Sequence, residues 1–98
     1  MLEIRRTNEF TAWVRGLSDE TARAKIFVRI DRLRAGNPGD VKPVGQGVSE
    51  MRIDHGPGYR VYFAQRGLVL VLLLCGETKG TKVDDIAAAK ALAEQWKE

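Results

Sequence analysis

The chain has 98 residues, a length that predicts one domain spanning residues 1–98 and excludes two separate cores. With 44% hydrophobic and 30% charged residues, its composition is that of a globular protein and excludes a disordered chain. The formal charge of +3 permits a nucleic-acid partner without requiring one.

The numbers of cysteine and histidine residues limit the disulfides and metal sites that the chain can form. One cysteine and one histidine exclude an internal disulfide and a zinc site built from soft ligands, so we expect no metal and no other cofactor. Cys75 lies inside the apolar run LVLVLLLC, which predicts a buried thiol. The first ten residues lack a signal-peptide core and no apolar stretch reaches membrane length, so we expect a cytoplasmic protein without a membrane partner.

The first half of the chain predicts a strand followed by two helices. Residues 2–6 alternate as a strand does, and Thr7 or Asn8 can cap the helix that follows. After a short break, Ser18 is the predicted cap of a second helix, which ends before Gly36. Apolar residues at helical spacing give each helix one inward stripe, which predicts an αα-hairpin that needs a surface to cover.

The second half of the chain predicts that surface. Residues 36–49 are rich in glycine and proline and predict a loop, whereas residues 50–54 and 59–65 predict two strands joined by the turn HGPG. Residues 68–75 are almost all aliphatic and predict an interior strand, and residues 82–96 predict a final helix. The order β-α-α-β-β-β-α predicts an α+β fold, with the helical hairpin packed on an antiparallel sheet and a C-terminal helix.

The predicted hairpin carries polar residues at alternating positions. Glu50 and Arg52 share one face of the first strand, and Arg60 and Tyr62 share one face of the second. If the apolar faces coincide, these four side chains meet on one exposed surface. That surface is either a phosphate-binding patch or a solvated sheet face with charge pairs such as Glu50 with Arg60.

Other basic residues leave similar alternatives open. Lys79 and Lys82 follow the interior strand and either extend the patch or belong to a solvated turn. His55 lies in the hairpin turn, as a general base or simply as an exposed residue. One helix face is either solvated or a contact for ribosomal RNA; its basic residues are Lys25, Arg29 and Arg32.

Three long segments resemble a known family: FTAWVRGL, RIDRLRAGNPGDVKPVGQGVSEMRIDHGPGYRVYF and LLLCGETKGTKVDDIAAAKALA. They are similar to the phage-derived, HigB-like "addiction module killer" branch of the RelE/ParE toxin superfamily. The resemblance implies the RelE/ParE-like fold and a type II toxin, a ribosome-dependent mRNA endonuclease that inhibits translation. It also implies metal-free chemistry, in which the RNA's own 2′-hydroxyl attacks the adjacent phosphate. The implied partners are mRNA, the ribosome and a cognate antitoxin with a helix-turn-helix domain, held in a toxin–antitoxin hetero-oligomer.

The same resemblance suggests roles for individual residues. Arg60 looks like the family's strand arginine at the scissile phosphate, and Arg52 like the basic position on the preceding strand. Tyr62 would orient the nucleotide or transfer protons, and Lys79 looks like the basic position after the interior strand. The remaining residues expected to contact RNA are Lys82, His55, Glu50, Arg29 and Arg32.

The chain departs from the family pattern in one segment. TKVDDIAAAK carries no aromatic residue, histidine or arginine, so Tyr62, Lys82 and His55 remain alternative proton donors. The superfamily fold also hosts ParE-like proteins that inhibit DNA gyrase without enzymatic activity, and fold alone cannot separate the two functions. The convergent residues Arg52, Arg60, Tyr62 and Lys79 favour the nuclease over a gyrase inhibitor. A degenerate module that retains only antitoxin binding is a third alternative.

Overall fold

The computed structural model describes residues 2–67, 70–79 and 85–96. They form elements in the order β-α-α-β-β-β-β-α. The elements are β1 (Glu3–Arg6), α1 (Asn8–Arg15), α2 (Glu20–Arg34), β2 (Val41–Gly45), β3 (Val48–Ile53), β4 (Tyr59–Arg66), β5 (Leu70–Thr78) and α3 (Asp85–Gln95). None of the helices in these ranges is long and apolar enough to cross a membrane.

The strands form one mixed sheet in the order β1-β5-β4-β3-β2. β2 to β5 pair with antiparallel neighbours, whereas β1 pairs in parallel with β5. β5 is therefore an interior strand, and its side chains enter the apolar clusters on both faces of the sheet. This confirms the interior position that its aliphatic sequence predicted.

The helices α1 and α2 cover one face of the sheet. The Thr7 hydroxyl caps α1 by accepting a hydrogen bond from the Phe10 amide at 3.0 Å, and it donates to the Leu74 carbonyl in β5. The carboxylate of Asp19, one residue after the predicted cap, accepts from the Ala22 amide at 3.1 Å and begins α2. Side chains from both helices bury against the sheet: Phe10, Val14, Ala22, Ile26, Ile30 and Leu33.

The third helix, α3, covers part of the other face. Ala89 and Ala93 are buried against it, and their small side chains let the helix approach the strands closely. The sheet residues beneath it are Val48, Tyr62, Ala64, Leu72, Leu74 and Cys75. Arg66 of β4 donates a hydrogen bond of 2.5 Å to the Ala93 carbonyl and ties the sheet to the last turns of α3.

The predicted loop over residues 36–49 is wrong for its second half, because β2 lies there. β2 is an edge strand, so Pro43 costs the sheet no hydrogen bond, and a bulge between Pro43 and Gly45 absorbs the irregular sequence. Gln46 and Gly47 form a two-residue turn with φ of 57° and 76°, as a type I′ hairpin requires. The glycines of this segment mark a hairpin rather than an open loop.

The α+β fold class is confirmed, with the helical hairpin on the sheet and a C-terminal helix. The sheet differs from the prediction through the extra strand β2 and the parallel pairing of β1. Because α1, α2 and three strands separate β1 from β5, nothing local in the sequence specifies the direction of that pairing.

Candidate active site

The hairpin formed by β3 and β4 carries the predicted polar residues on one face. Its register places Glu50 opposite Tyr62 and Arg52 opposite Arg60. The residues between them point to the opposite face and are buried beneath α1 and α2: Met51, Ile53, Tyr59, Val61 and Phe63. The predicted division of the hairpin into an apolar and a polar face is confirmed.

A bulge interrupts the pairing of β4 with β5. Tyr62 lies opposite Cys75, but the next residue, Phe63, lies opposite Leu73. Leu74 is therefore the extra residue on β5. An extra residue of this kind exchanges the two faces for every residue beyond it.

The exchange of faces adds an acidic residue to the polar face. Before the bulge, the odd-numbered residues Val71 and Leu73 point into the core beneath α1 and α2. Beyond the bulge, Glu77 lies directly opposite Arg60 and contacts its side chain. Without the bulge, simple alternation would send the Glu77 carboxylate into the apolar core.

Five side chains on this face form a connected network, called here the Glu–Arg network: Glu50, Arg52, Arg60, Tyr62 and Glu77. Arg52 Nε donates to Glu50 Oε1 at 2.9 Å, and Arg60 Nε lies 3.7 Å from the same oxygen. Arg60 Nη1 lies 3.5 Å from Glu77 Oε1, and the Tyr62 hydroxyl donates to Glu77 Oε2 at 2.9 Å. Each carboxylate thus contacts Arg60 and one further donor.

The exposure predicted for this face is wrong for two of its members. Tyr62 is 0% exposed beneath α3, and Glu50 is 5% exposed between its arginine partners. Burial, followed by the hydrogen bond to Glu77, raises the pKa of Tyr62 far above its ordinary value. In this conformation neither side chain can stack on or bind a nucleotide, and the Tyr62 hydroxyl is poorly suited to donate a proton.

The network explains how two arginines tolerate direct opposition across the strands. Like charges at opposed positions repel, but the Glu50 carboxylate contacts both guanidinium groups. Glu77 contacts Arg60 from the neighbouring strand. The two arginines and two glutamates compensate one another in formal charge, and Arg60, at 34% side-chain exposure, contacts two buried carboxylates.

A cleft of about 400 Å³ opens at the end of the sheet where β3 and β5 end and β4 begins. Three of the predicted catalytic residues line it: Arg52, Arg60 and Lys79. Its other lining residues are Asp40, Ile53, Asp54, Gly58 and Tyr59. The Lys79 amide donates to the Gly58 carbonyl at 2.9 Å, which brings the exposed lysine beside the β3–β4 turn. The structure thus brings together residues that the sequence places on three segments.

Arg29 does not belong to a solvated helix face. Its guanidinium donates to the carbonyl oxygens of Arg52 at 2.5 Å, Pro38 at 3.1 Å and Asp40 at 3.2 Å. The side chain therefore fastens α2 to the end of β3 and to the segment before β2. The expectation of a purely solvated side chain is wrong, because these contacts join the partly exposed guanidinium to the protein's own backbone, whereas the predicted contact with RNA stays a prediction.

The remaining predicted RNA contacts lie apart from the cleft lining. Arg32 is exposed on α2. His55 is partly buried in the β3–β4 turn, where its Nε2 lies 3.0 Å from Asp19 Oδ2, so the prediction of a simply exposed histidine is wrong. That contact joins the turn to the N-cap of α2. The hydrogen bond from the Ala22 amide, followed by the one from His55, lowers the pKa of Asp19. Lys82 lies outside the described residues.

Sequence reasoning missed three acidic residues at the site, Glu77, Asp40 and Asp54. Glu77 is 9% exposed, and the signal for it was a lone carboxylate near the end of an aliphatic strand. Asp54 directly follows β3, and Asp40 directly precedes the unpredicted strand β2. Their carboxylates make the cleft mixed in charge rather than purely cationic.

Comparison with known proteins places the chain in a family. Residues 12–95 match the profile of the phage derived protein Gp49-like family (DUF891), a range that includes the cleft and the Glu–Arg network. The chain belongs to the Gp49-like family. It is also 48% identical over 94 residues to an uncharacterized protein of Haemophilus influenzae (strain ATCC 51907 / DSM 11121 / KW20 / Rd), covering 96% of this chain and 95% of that protein. The Gp49-like family is associated with toxin–antitoxin systems.

Proposed function

We propose that this Gp49-like protein is the toxin of a toxin–antitoxin system and an endoribonuclease that cleaves mRNA on the ribosome. The observation that carries the proposal is the meeting of Arg52, Arg60 and Lys79 in one cleft. Guanidinium and ammonium groups are the side chains that proteins use to hold phosphate oxygens. The family's association with toxin–antitoxin systems supports the proposal independently.

The proposed reaction uses the RNA's own 2′-hydroxyl as nucleophile. Its oxygen attacks the adjacent phosphorus, the bond to the 5′-oxygen breaks, and the products are a 2′,3′-cyclic phosphate and a 5′-hydroxyl. Negative charge accumulates on the phosphoryl oxygens in the transition state, and fixed donors aimed at that charge lower the barrier. Arg60 is suited to this role because the buried carboxylates of Glu50 and Glu77 contact its guanidinium. Arg52 and Lys79 are exposed at the same cleft.

The reaction also requires two proton transfers. The 2′-hydroxyl loses a proton, for which the carboxylates of Asp40 and Asp54 are acceptors within the cleft lining. The departing 5′-oxygen gains a proton, and we assign this donation to the Lys79 ammonium, which is exposed in the cleft. Tyr62 does not take that role because it is buried and its pKa is raised.

The proposed partners follow from the proposed activity. mRNA would enter the cleft on the ribosome, where the exposed Arg32 of α2 is available for a contact with ribosomal RNA. An antitoxin, expected to carry a helix-turn-helix domain, would bind the toxin in a hetero-oligomer and block cleavage.

Growth arrest in bacteria tests the proposal. Expression of the wild-type chain should stop growth and protein synthesis, and Arg60→Ala and Lys79→Ala should relieve the arrest. Lys79→Ala is the cleaner variant, because this exposed side chain lies outside the Glu–Arg network. Arg15→Ala is the matched control, since Arg15 is exposed at the end of α1 and does not line the cleft.

The outcomes separate the alternatives. Arrest that is relieved by both cleft variants and not by Arg15→Ala supports the nuclease. Arrest that persists in both cleft variants, together with relaxed plasmid DNA and uncut mRNA, would instead identify a gyrase inhibitor. Circular dichroism of each variant shows whether a loss of toxicity comes from unfolding.

A further inference from the structure

The two oxygens of the Glu77 carboxylate have different partners. Oε2 accepts a hydrogen bond of 2.9 Å from the Tyr62 hydroxyl, and Oε1 lies 3.5 Å from Arg60 Nη1. Tyr62 is completely buried beneath α3, whereas Arg60 lines the cleft. The Glu77 carboxylate therefore links the buried Tyr62 hydroxyl to the Arg60 guanidinium at the cleft.

This contact depends on an irregularity in the backbone of β5. The bulge at Leu74 is the feature that turns Glu77 toward Arg60 instead of into the apolar core. Bulges of this kind re-aim a side chain and are frequent beside active sites. Burying a carboxylate is unfavourable unless it is paired, and Glu77 is paired with both a hydroxyl and a guanidinium.

Arg52 offers a comparison within the same site. Among the described residues, its side chain pairs with one carboxylate, that of Glu50, and is 46% exposed, whereas Arg60 is 34% exposed and contacts two carboxylates through different nitrogens. An arginine on a flexible stem loses rotamer freedom when it binds a phosphate, and a guanidinium already held in place loses less. Of the two arginines, Arg60 is the one that is held from two sides, by longer ion pairs of 3.7 and 3.5 Å, whereas Arg52 has a single hydrogen bond of 2.9 Å.

We propose that Glu77 is a positioning residue which, anchored by the Tyr62 hydroxyl, aims the Arg60 guanidinium into the cleft. Glu77 does not itself contact the RNA; it acts through Arg60. The consequence for activity rests on the proposed function, whereas the ordering of Arg60 does not.

Cleavage kinetics test the role in activity. Glu77→Gln keeps the size of the side chain and an acceptor for Tyr62 but removes the charge that holds Arg60. We expect the rate of mRNA cleavage on the ribosome to fall about 10- to 100-fold, with the KM for programmed ribosomes little changed, because misaimed catalytic groups cost this much. Glu94→Gln, an exposed carboxylate on α3, is the matched control and should cleave at the wild-type rate.

A double-mutant cycle separates positioning from general structural damage. In an Arg60→Lys background, which retains a positive charge, Glu77→Gln should cause little further loss, because the group it aims is no longer present. If the losses from the two substitutions multiply instead, Glu77 acts independently of Arg60 and the proposal fails. Tyr62→Phe provides a second variant if Glu77→Gln does not fold, and it should reduce the rate in the same direction.

Nuclear magnetic resonance of the free protein provides a readout that needs no activity. In ¹⁵N-labelled wild type, the Arg60 Nε–H should be ordered on the picosecond-to-nanosecond timescale, and Glu77→Gln should mobilise it while Glu94→Gln does not. If Arg60 is mobile in the wild type, or is unaffected by Glu77→Gln, the proposal is overturned whatever the activity. If Arg60 responds as expected but the wild type cuts no mRNA, the positioning stands and the nuclease assignment fails.

Discussion

Replacing Gly76 with alanine tests how α1 packs on the sheet next to the cleft. Gly76 lies in β5 next to Glu77, and the Trp13 ring from α1 rests on it. A Cβ at this position would lie 2.1, 2.2 and 2.4 Å from three carbon atoms of the indole. Since carbon atoms in contact prefer about 3.5 Å or more, the ring would have to move by about 1.4 Å.

The displaced ring cannot move without losing other contacts. Its centroid lies 6.1 Å from that of Phe10 and 6.4 Å from that of Tyr59, which lines the cleft. Overpacking of this kind costs about 1–3 kcal/mol, and we expect Gly76→Ala to lie near the upper end because both aromatic contacts are disturbed.

Urea unfolding followed by circular dichroism measures the effect, with Gly16→Ala as the control. Gly16 has φ of −77°, and a Cβ there would lie 3.4 Å from its nearest neighbour, the Ala12 carbonyl oxygen. The control should be unchanged or stabilised by up to about 1 kcal/mol, because alanine restricts the unfolded chain. A Gly76→Ala protein as stable as the wild type would refute the packing described for Trp13.

Three further predictions concern other parts of the chain. Tyr62→Phe should lower the free energy of unfolding by about 1.5–3 kcal/mol, because the Glu77 carboxylate loses its buried hydroxyl donor, and urea titration checks this. The folded-state pKa of Asp19 is lowered from 3.8, so the stabilisation from its carboxylate is present above that pH and is lost as the pH falls below it. Asp19→Asn keeps a capping side chain and should flatten the acid limb of a stability-versus-pH curve. An unchanged acid limb would contradict this. Burial, followed by the charge of Asp85, raises the pKa of the Cys75 thiol to about 12. Iodoacetamide at pH 8 should therefore alkylate Cys75 only in urea-unfolded protein. Mass spectrometry would detect any labelling of the native fold.

The sequence predicted the parts of the site that depend on local periodicity. Alternation over β3 and β4 was enough to place Arg52 and Arg60 on one face, because no bulge interrupts those two strands where they pair with each other. The same rule fails for Glu77, since the bulge at Leu74 depends on how β5 meets its neighbours. No pattern within LLLCGE marks the position of the extra residue.

Other differences arise from tertiary contacts. The burial of Tyr62 depends on which part of the sheet α3 covers, and a helix stripe does not specify that. Arg29 belongs to a basic helix face in the sequence. Its three carbonyl partners come from Pro38, Asp40 and Arg52, and they reach it only when the segment before β2 and the end of β3 fold against α2. β2 was missed because Pro43 and Gly45 weaken the strand signal, although both are tolerated at a sheet edge.

If the proposed function is right, Arg60 and its neighbours in the cleft cut mRNA on the ribosome. The most direct measurement adds the purified protein to a reconstituted translation reaction and maps the ends of the mRNA by primer extension. We expect cuts in phase with the codons, present only when ribosomes are included and strongly reduced in Lys79→Ala. Full-length mRNA at a protein concentration that stops translation would contradict it.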